Sequence, residues 1–143
     1  GDARVYLLRD DMLSQVTRDH SRVQILVETG EITPEQARHD PRRNVVTRAL
    51  GGGIADSAVP DLYSVPVAAE DRLLICSDGL SDELDDEAIA TVLAAGYTAQ
   101  RTAELLVAAS LEGGGHDNTT SVVVDSIEVP TTAPATVPAQ EAQ

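Results

Sequence analysis

Three short segments set an aspartate beside a glycine or an asparagine where a strand-like run begins or ends. They are Gly1-Asp2-Ala3-Arg4, Ser77-Asp78-Gly79-Leu80-Ser81-Asp82 and Gly115-His116-Asp117-Asn118-Thr119. Carboxylates carried to strand ends can converge, and hard divalent cations such as Mg2+ and Mn2+ take one or two carboxylate oxygens and keep water for the rest of their shell. Each segment alone has a plainer use, because Asp-Gly makes turns and an Asp at a helix start makes a cap. All three in one chain, in this order, favour a cation. The second segment opens the densest acidic run: Asp78, Asp82, Glu83, Asp85, Asp86 and Glu87 fall within positions 78–87. Such a run either lies along a solvated helix start, where the macrodipole favours it, or surrounds a cation. Glu83, Asp85, Asp86 and Glu87 suit the helix start; Asp82 is kept as a candidate ligand.

The elements that must position these residues follow from the apolar pattern. Residues 4–9 and 12–17 read as two strands around the acidic turn Asp10-Asp11, a hairpin. From Asp19 the spacing becomes helical, with Val23, Leu26 and Val27 on one face and Gly30 as the stop. Thr33-Pro34-Glu35-Gln36 is a capping box for a second short helix ending near Asp40-Pro41. A strand is expected over 44–50, closed by a hinge at Gly51-Gly52-Gly53, and another over 61–67. Residues 72–77 form a continuous apolar run, as expected for a strand buried on both faces. Ser81 or Asp82 would cap a helix over about 83–95, and Thr98 one reaching Leu111, with Leu105, Leu106 and Ala109 inward. Residues 119–129 read as the last strand. Positions 130–143, made mostly of Pro, Thr, Ala and Gln, read as a disordered linker.

Composition narrows the function classes. The chain has 143 residues and a formal net charge of −14, which disfavours tight general binding to nucleic acid. The imbalance lies after residue 48: eight Arg and eight carboxylates balance before it. Three tyrosines are the only aromatics, so the core must be aliphatic and base-stacking platforms are lacking. The single cysteine excludes an internal disulfide framework and a Cys-rich zinc site. No apolar run is long enough to span a bilayer, so membrane contact by this chain is not expected.

Other candidate groups have structural readings. Cys76 sits inside an apolar run with nothing cationic beside it to form a thiolate, and reads as core. His116 neighbours Asp117 but reads as a solvated loop residue, and His20 as a hydrogen bond at the base of the Arg-rich segment. The glycines 51–53 lack a following Lys and helix, which excludes a Walker loop.

Five segments in order carry a family resemblance: 1–6, Thr17-Arg18-Asp19-His20-Ser21, 44–51, 77–82 and Gly115-His116-Asp117-Asn118-Thr119-Thr120-Ser121-Val122. They resemble the successive motifs of the bacterial metal-dependent PPM (PP2C-type) Ser/Thr protein phosphatases, from residue 1 to about 129. The resemblance implies an α+β fold, an αββα four-layer sandwich with its metals at one end, of which this chain would form the C-terminal half. It implies hydrolysis of phosphoserine and phosphothreonine in proteins by a metal-activated hydroxide, with Mn2+ or Mg2+ as cofactor. Asp78 and Asp117 would be ligands of a two-metal centre; Asp2, with Asp78 and Asp82, would hold a third, weaker ion. Gly79 and Asn118 would support these ligands, Asn118 by orienting Asp117. Residues 18–43 would be the flap beside the site, with Arg18, His20, Arg42 and Arg43 toward acidic or phosphorylated segments.

The family pattern also begins earlier, with a phosphate-holding Arg, an Asp-Gly pair whose aspartate bridges both metals, and a general-acid His. None of these stands in the 143 residues, and Ala3 replaces the usual Ser. The chain alone is therefore expected to be inactive or nearly so, with the other half of the domain as its first partner. Phosphorylated Ser/Thr kinases and their targets are the further partners implied. The absence of Lys and the lone Cys suit a bacterial cytoplasm, and the tail resembles linkers that lead to a membrane anchor in some relatives. The rival reading is a non-catalytic module: a half-sandwich binding a divalent cation weakly, or a pseudophosphatase segment serving a partner kinase.

Overall fold

A computed structural model describes residues 1–51 and 59–128. The hairpin forms as β1 (Arg4–Arg9) and β2 (Met12–Gln15), with Arg9 opposite Met12. Its two loop residues, Asp10 and Asp11, take φ of 50° and 60°. Two positive φ values in a two-residue loop make the turn whose twist matches the flanking strands, and Asp tolerates that conformation better than most residues.

β3 (Arg72–Cys76) pairs antiparallel with β1, and β4 (Ser121–Asp125) pairs antiparallel with β3. The sheet order is β2-β1-β3-β4. Two short helices, α1 (Arg22–Glu28) and α2 (Pro34–Arg38), fall between β2 and β3 in the chain; α3 (Asp78–Ser81), α4 (Asp86–Ala94) and α5 (Ala99–Gly113) fall between β3 and β4. Alternation along the strands sends Tyr6, Leu8, Leu74 and Cys76 to one face, where Leu80, Leu84, Ile89, Leu93 and Leu106 close over them. The result is an α+β unit with one sheet and one helix layer covering it.

Several sequence expectations are corrected. Residues 72–77 are not buried on both faces: Ile75 is 46 % exposed, and Val122 and Val124 beside it on β4 are exposed too. An apolar run could not distinguish a covered face from an uncovered one. Residues 44–50 form no strand but a single bridge, Ser21 to Val46, because the chain returns beside the start of α1 rather than along the sheet. No strand forms over 61–67 either; Pro60 and Pro66 remove ladder donors at both ends.

The helix expected over 83–95 starts later. Asp85, not Ser81 or Asp82, is its cap, accepting from the Ala88 N–H at 2.8 Å, and residues 78–81 form the separate turn α3. Thr98 caps α5 as expected, the Thr33 capping box forms on α2, and Ser21 caps α1. The last strand is shorter than 119–129. Gly52, Gly53 and the linker expected at 130–143 lie outside the described residues.

Candidate metal centre

The strands deliver two of the aspartates to one place. Asp2 stands two residues before β1, Asp78 two residues after β3, and Arg4 lies opposite Cys76 in the register. The N-terminal end of β1 and the C-terminal end of β3 are thus neighbours. Asp82, one turn beyond Asp78, joins them along a cavity of about 570 Å³ whose other wall carries Val23, Val27, Arg38 and Arg43 of the segment 18–43. Burial raises the Asp2 and Asp82 carboxyls above the usual carboxylate range, and the Asp78 charge raises both further. Arg43 of the opposite wall, Arg4 of β1 and Arg38 act against this at Asp82.

Asp117 arrives by a different route. It does not line that cavity, but its loop lies against α3. A Cβ on Gly79 would meet the Asn118 carbonyl oxygen at 2.5 Å, so only glycine permits this approach. Hydrogen bonds lace the two backbones: the Ser77 N–H donates to the Thr120 carbonyl, the Ser77 hydroxyl donates to the Asn118 carbonyl at 3.1 Å, and the Thr120 N–H donates to the Ser77 hydroxyl at 3.0 Å. The two aspartates are held alike. Asp78 Oδ1 accepts from the Gly79 N–H at 2.9 Å, and Asp117 Oδ1 from the Asn118 N–H at 2.6 Å. It is thus the Asn118 backbone that meets the Asp117 carboxylate.

A part-buried ion pair, Arg4 with Asp19, begins two residues beyond Asp2. Arg4 donates through Nε and Nη2 to the Asp19 carboxylate, at 3.0 and 2.7 Å to Oδ2, and through Nη1 to the Tyr6 hydroxyl at 2.8 Å. Burial pushes the Tyr6 hydroxyl up to about 12, so it keeps its proton and donates to Asp86. Since Asp19 stands at the entrance to α1, this pair ties the segment 18–43 to β1.

The arginines expected in the flap separate into two kinds. Arg18 is bound by Glu28 through two nitrogens, both at 2.5 Å, and Arg42 by Asp40 at 2.8 and 2.7 Å. Arg43 and Arg38 line the cavity and make no salt bridge among the described residues. His20 lies apart, its Nε2 2.7 Å from Asp61 and 2.9 Å from Arg48, able to serve one of them at a time. His116 sits against Glu83, Nδ1 to Oε1 at 2.7 Å. Sequence reading missed Ser77, Ser110 and Thr119, the hydroxyls that join the two aspartate loops; the available signal was Ser110, a polar residue on the inward side of α5.

Carboxylate oxygens are hard donors, which suits Mg2+ or Mn2+ in kind. Yet no group of three or more His, Cys, Asp or Glu side chains among the described residues converges tightly enough to hold an ion by itself. The chain offers part of a coordination shell.

No protein-family model matches the chain. The serine/threonine protein phosphatase PstP of Mycobacterium tuberculosis is 45 % identical over 128 residues, 90 % of this chain and 24 % of that protein. The crystal structure of the M. tuberculosis phosphatase PstP/Ppp superposes with a TM-score of 0.81 at 45 % identity, covering 90 % of this chain and 53 % of the other. A structure of the PstP catalytic domain in complex with two manganese ions gives 0.78 at 43 % identity, covering 90 % and 51 %. The chain therefore spans about half of the solved phosphatase domains it matches. In sequence and in fold, it is a homologue of the bacterial PPM (PP2C-type) serine/threonine protein phosphatases, corresponding to the C-terminal part of their catalytic domain.

Proposed function

We propose that residues 1–129 form the C-terminal half of a metal-dependent protein phosphatase domain that hydrolyses phosphoserine and phosphothreonine. The observation that carries this reading is the close fit of the Asp78 turn against the Asp117 loop, which requires Gly79, in a chain homologous to a phosphatase solved with two manganese ions. Asp78 and Asp117 would hold Mn2+ or Mg2+, and Asp2 and Asp82 would add oxygen ligands for a third ion beside Asp78. When bound, such ions supply Lewis-acid activation of water and neutralise phosphoryl charge.

The chain's own residues account for the rest of the proposed work. The Gly79 and Asn118 amides orient the two carboxylates. Residues 18–43 act as a flap anchored by the Arg4–Asp19 pair, with Arg43 and Arg38 facing the acidic wall, where they can meet a phosphorylated segment. Phosphorylated Ser/Thr kinases and their targets are the proposed substrates, in the cytoplasm. No helix among the described residues is long and apolar enough to cross a membrane.

Phosphate release from a phosphothreonine peptide with Mn2+ tests the reading. The full-length protein should turn over, and Asp78→Asn or Asp117→Asn should abolish turnover. Residues 1–143 alone should be nearly inactive; robust turnover by them would overturn the half-domain reading. Unchanged Mn2+ binding in both aspartate variants would instead make these carboxylates turns and caps.

A further inference from the structure

We infer that Ser110 is a positioning residue for the metal centre: its buried hydroxyl, paired with that of Thr119, sets the spacing of the Asp78 and Asp117 carboxylates and hence the affinity for a divalent cation. The inference rests on the proposed ligand roles of those two aspartates. Ser110 lies on the inward side of α5 and is completely buried. Its Oγ is 3.0 Å from the Gly79 carbonyl oxygen and 2.8 Å from Thr119 Oγ1, and Thr119 Oγ1 is 3.3 Å from the same carbonyl.

Two protons satisfy this triangle. Either Ser110 donates to Gly79 and accepts from Thr119, or the roles reverse; in both arrangements the carbonyl and both hydroxyls have partners. Gly79 follows Asp78 by one residue, and Thr119 follows Asp117 by two. The hydroxyl pair therefore spans the two backbone segments from which the carboxylates hang, and α5 is the rigid element that supports it. Apolar packing does not call for hydroxyls here; the Gly79 carbonyl does, and an alanine opposite a valine would leave that carbonyl without both side-chain donors, freeing the Asp78 turn to shift. Groups one step behind a ligand typically change metal affinity by about 10–100-fold when removed.

Mn2+ affinity of the full-length protein, measured by electron paramagnetic resonance of the free ion, tests this alongside metal-free thermal unfolding. Ser110→Ala and Thr119→Val should each weaken Mn2+ binding by about tenfold, whereas Thr119→Ser, which keeps the hydroxyl, should bind like the parent. Wild-type affinity in Ser110→Ala and Thr119→Val, with binding lost in Asp78→Asn and Asp117→Asn, would overturn the role of Ser110 and leave the ligand assignment standing. Wild-type affinity in the aspartate variants would overturn the assignment itself. Equal loss in Thr119→Ser and Thr119→Val would assign the effect to packing and reject the hydroxyl pair. Should Ser110→Ala fail to fold, the comparison of the two Thr119 variants decides.

Discussion

Arg9 grips Asp71 with two nitrogens, Nε to Oδ1 at 2.7 Å and Nη2 to Oδ2 at 2.5 Å, at the end of the sheet away from the aspartate cavity. The Ala68 N–H adds a third donor to the same carboxylate. The pair fastens the C-terminal end of β1 to the residue that leads into β3.

Acid unfolding should report this contact. Hydrogen bonds from Arg9, then from the Ala68 amide, hold the Asp71 carboxyl at about 2, below its ordinary value. A carboxyl depressed by folding stabilises the folded state above its unfolded pKa of about 4, and the contribution disappears as pH falls from there toward 2. Asp71→Asn should therefore lower thermal stability at pH 7 and flatten the pH dependence between about 4 and 2. A variant melting like the parent at pH 7, with an unchanged acid profile, would show that the pair contributes nothing.

Gly79→Ala should be costly for its size. The added Cβ meets a backbone oxygen rather than the end of a flexible side chain, so α3 or the Asn118 loop must shift. Overpacking of this kind costs about 1–3 kcal/mol, measurable by urea unfolding, and it would also separate Asp78 from Asp117. Alanine tolerated without loss would mean that the two segments stand farther apart than described.

Asp82→Asn should move two quantities in opposite directions. Burial and the Asp78 charge both raise the Asp82 carboxyl, so its ionised form destabilises the metal-free fold at neutral pH. Neutralising it should raise the metal-free melting temperature, while stabilisation by added Mn2+ should shrink if Asp82 contributes a ligand oxygen. Differential scanning calorimetry with and without Mn2+ measures both.

Arg43 and Arg42 are adjacent yet should behave differently. Arg42 is committed to Asp40, whereas Arg43 lines the cavity facing Asp82. Arg43→Ala should raise KM for a phosphothreonine peptide by about tenfold, the scale of one lost hydrogen bond to a charged group, and Arg42→Ala should leave KM near that of the parent. Equal effects would remove the distinction between the two.

Legibility in the sequence followed the range of the interaction. The hairpin, the Thr33 and Thr98 caps and the helical spacing between Asp19 and Gly30 depend on residues within a few positions of one another, and their patterns were readable. The expected strands at 44–50 and 61–67 failed because a β-pattern states a preference and not a partner; residues 44–50 return beside the start of α1 and not along the sheet, and prolines flank 61–67. The cap of α4 was misplaced because Ser81, Asp82 and Asp85 are all competent caps, and the turn α3 uses up the first two.

By itself the sequence determined that the chain builds an aliphatic α+β unit, concentrates its excess carboxylates after residue 48, and carries an ordered series of aspartates with the chemistry of a hard-cation site. Tertiary structure alone decided which of these meet. Asp78 and Asp117 are 39 positions apart, and their neighbours are joined by a glycine with no room for a side chain and by the hydroxyls of Ser77, Ser110 and Thr119. It also separated Arg43, on the cavity wall, from Arg42 and Arg18, already paired. The reason is physical: side-chain type sets what a residue can bind, but only the closure of α5 and β4 against β3 brings residues distant in the chain within hydrogen-bonding distance, where a few tenths of an ångström decide which contacts exist.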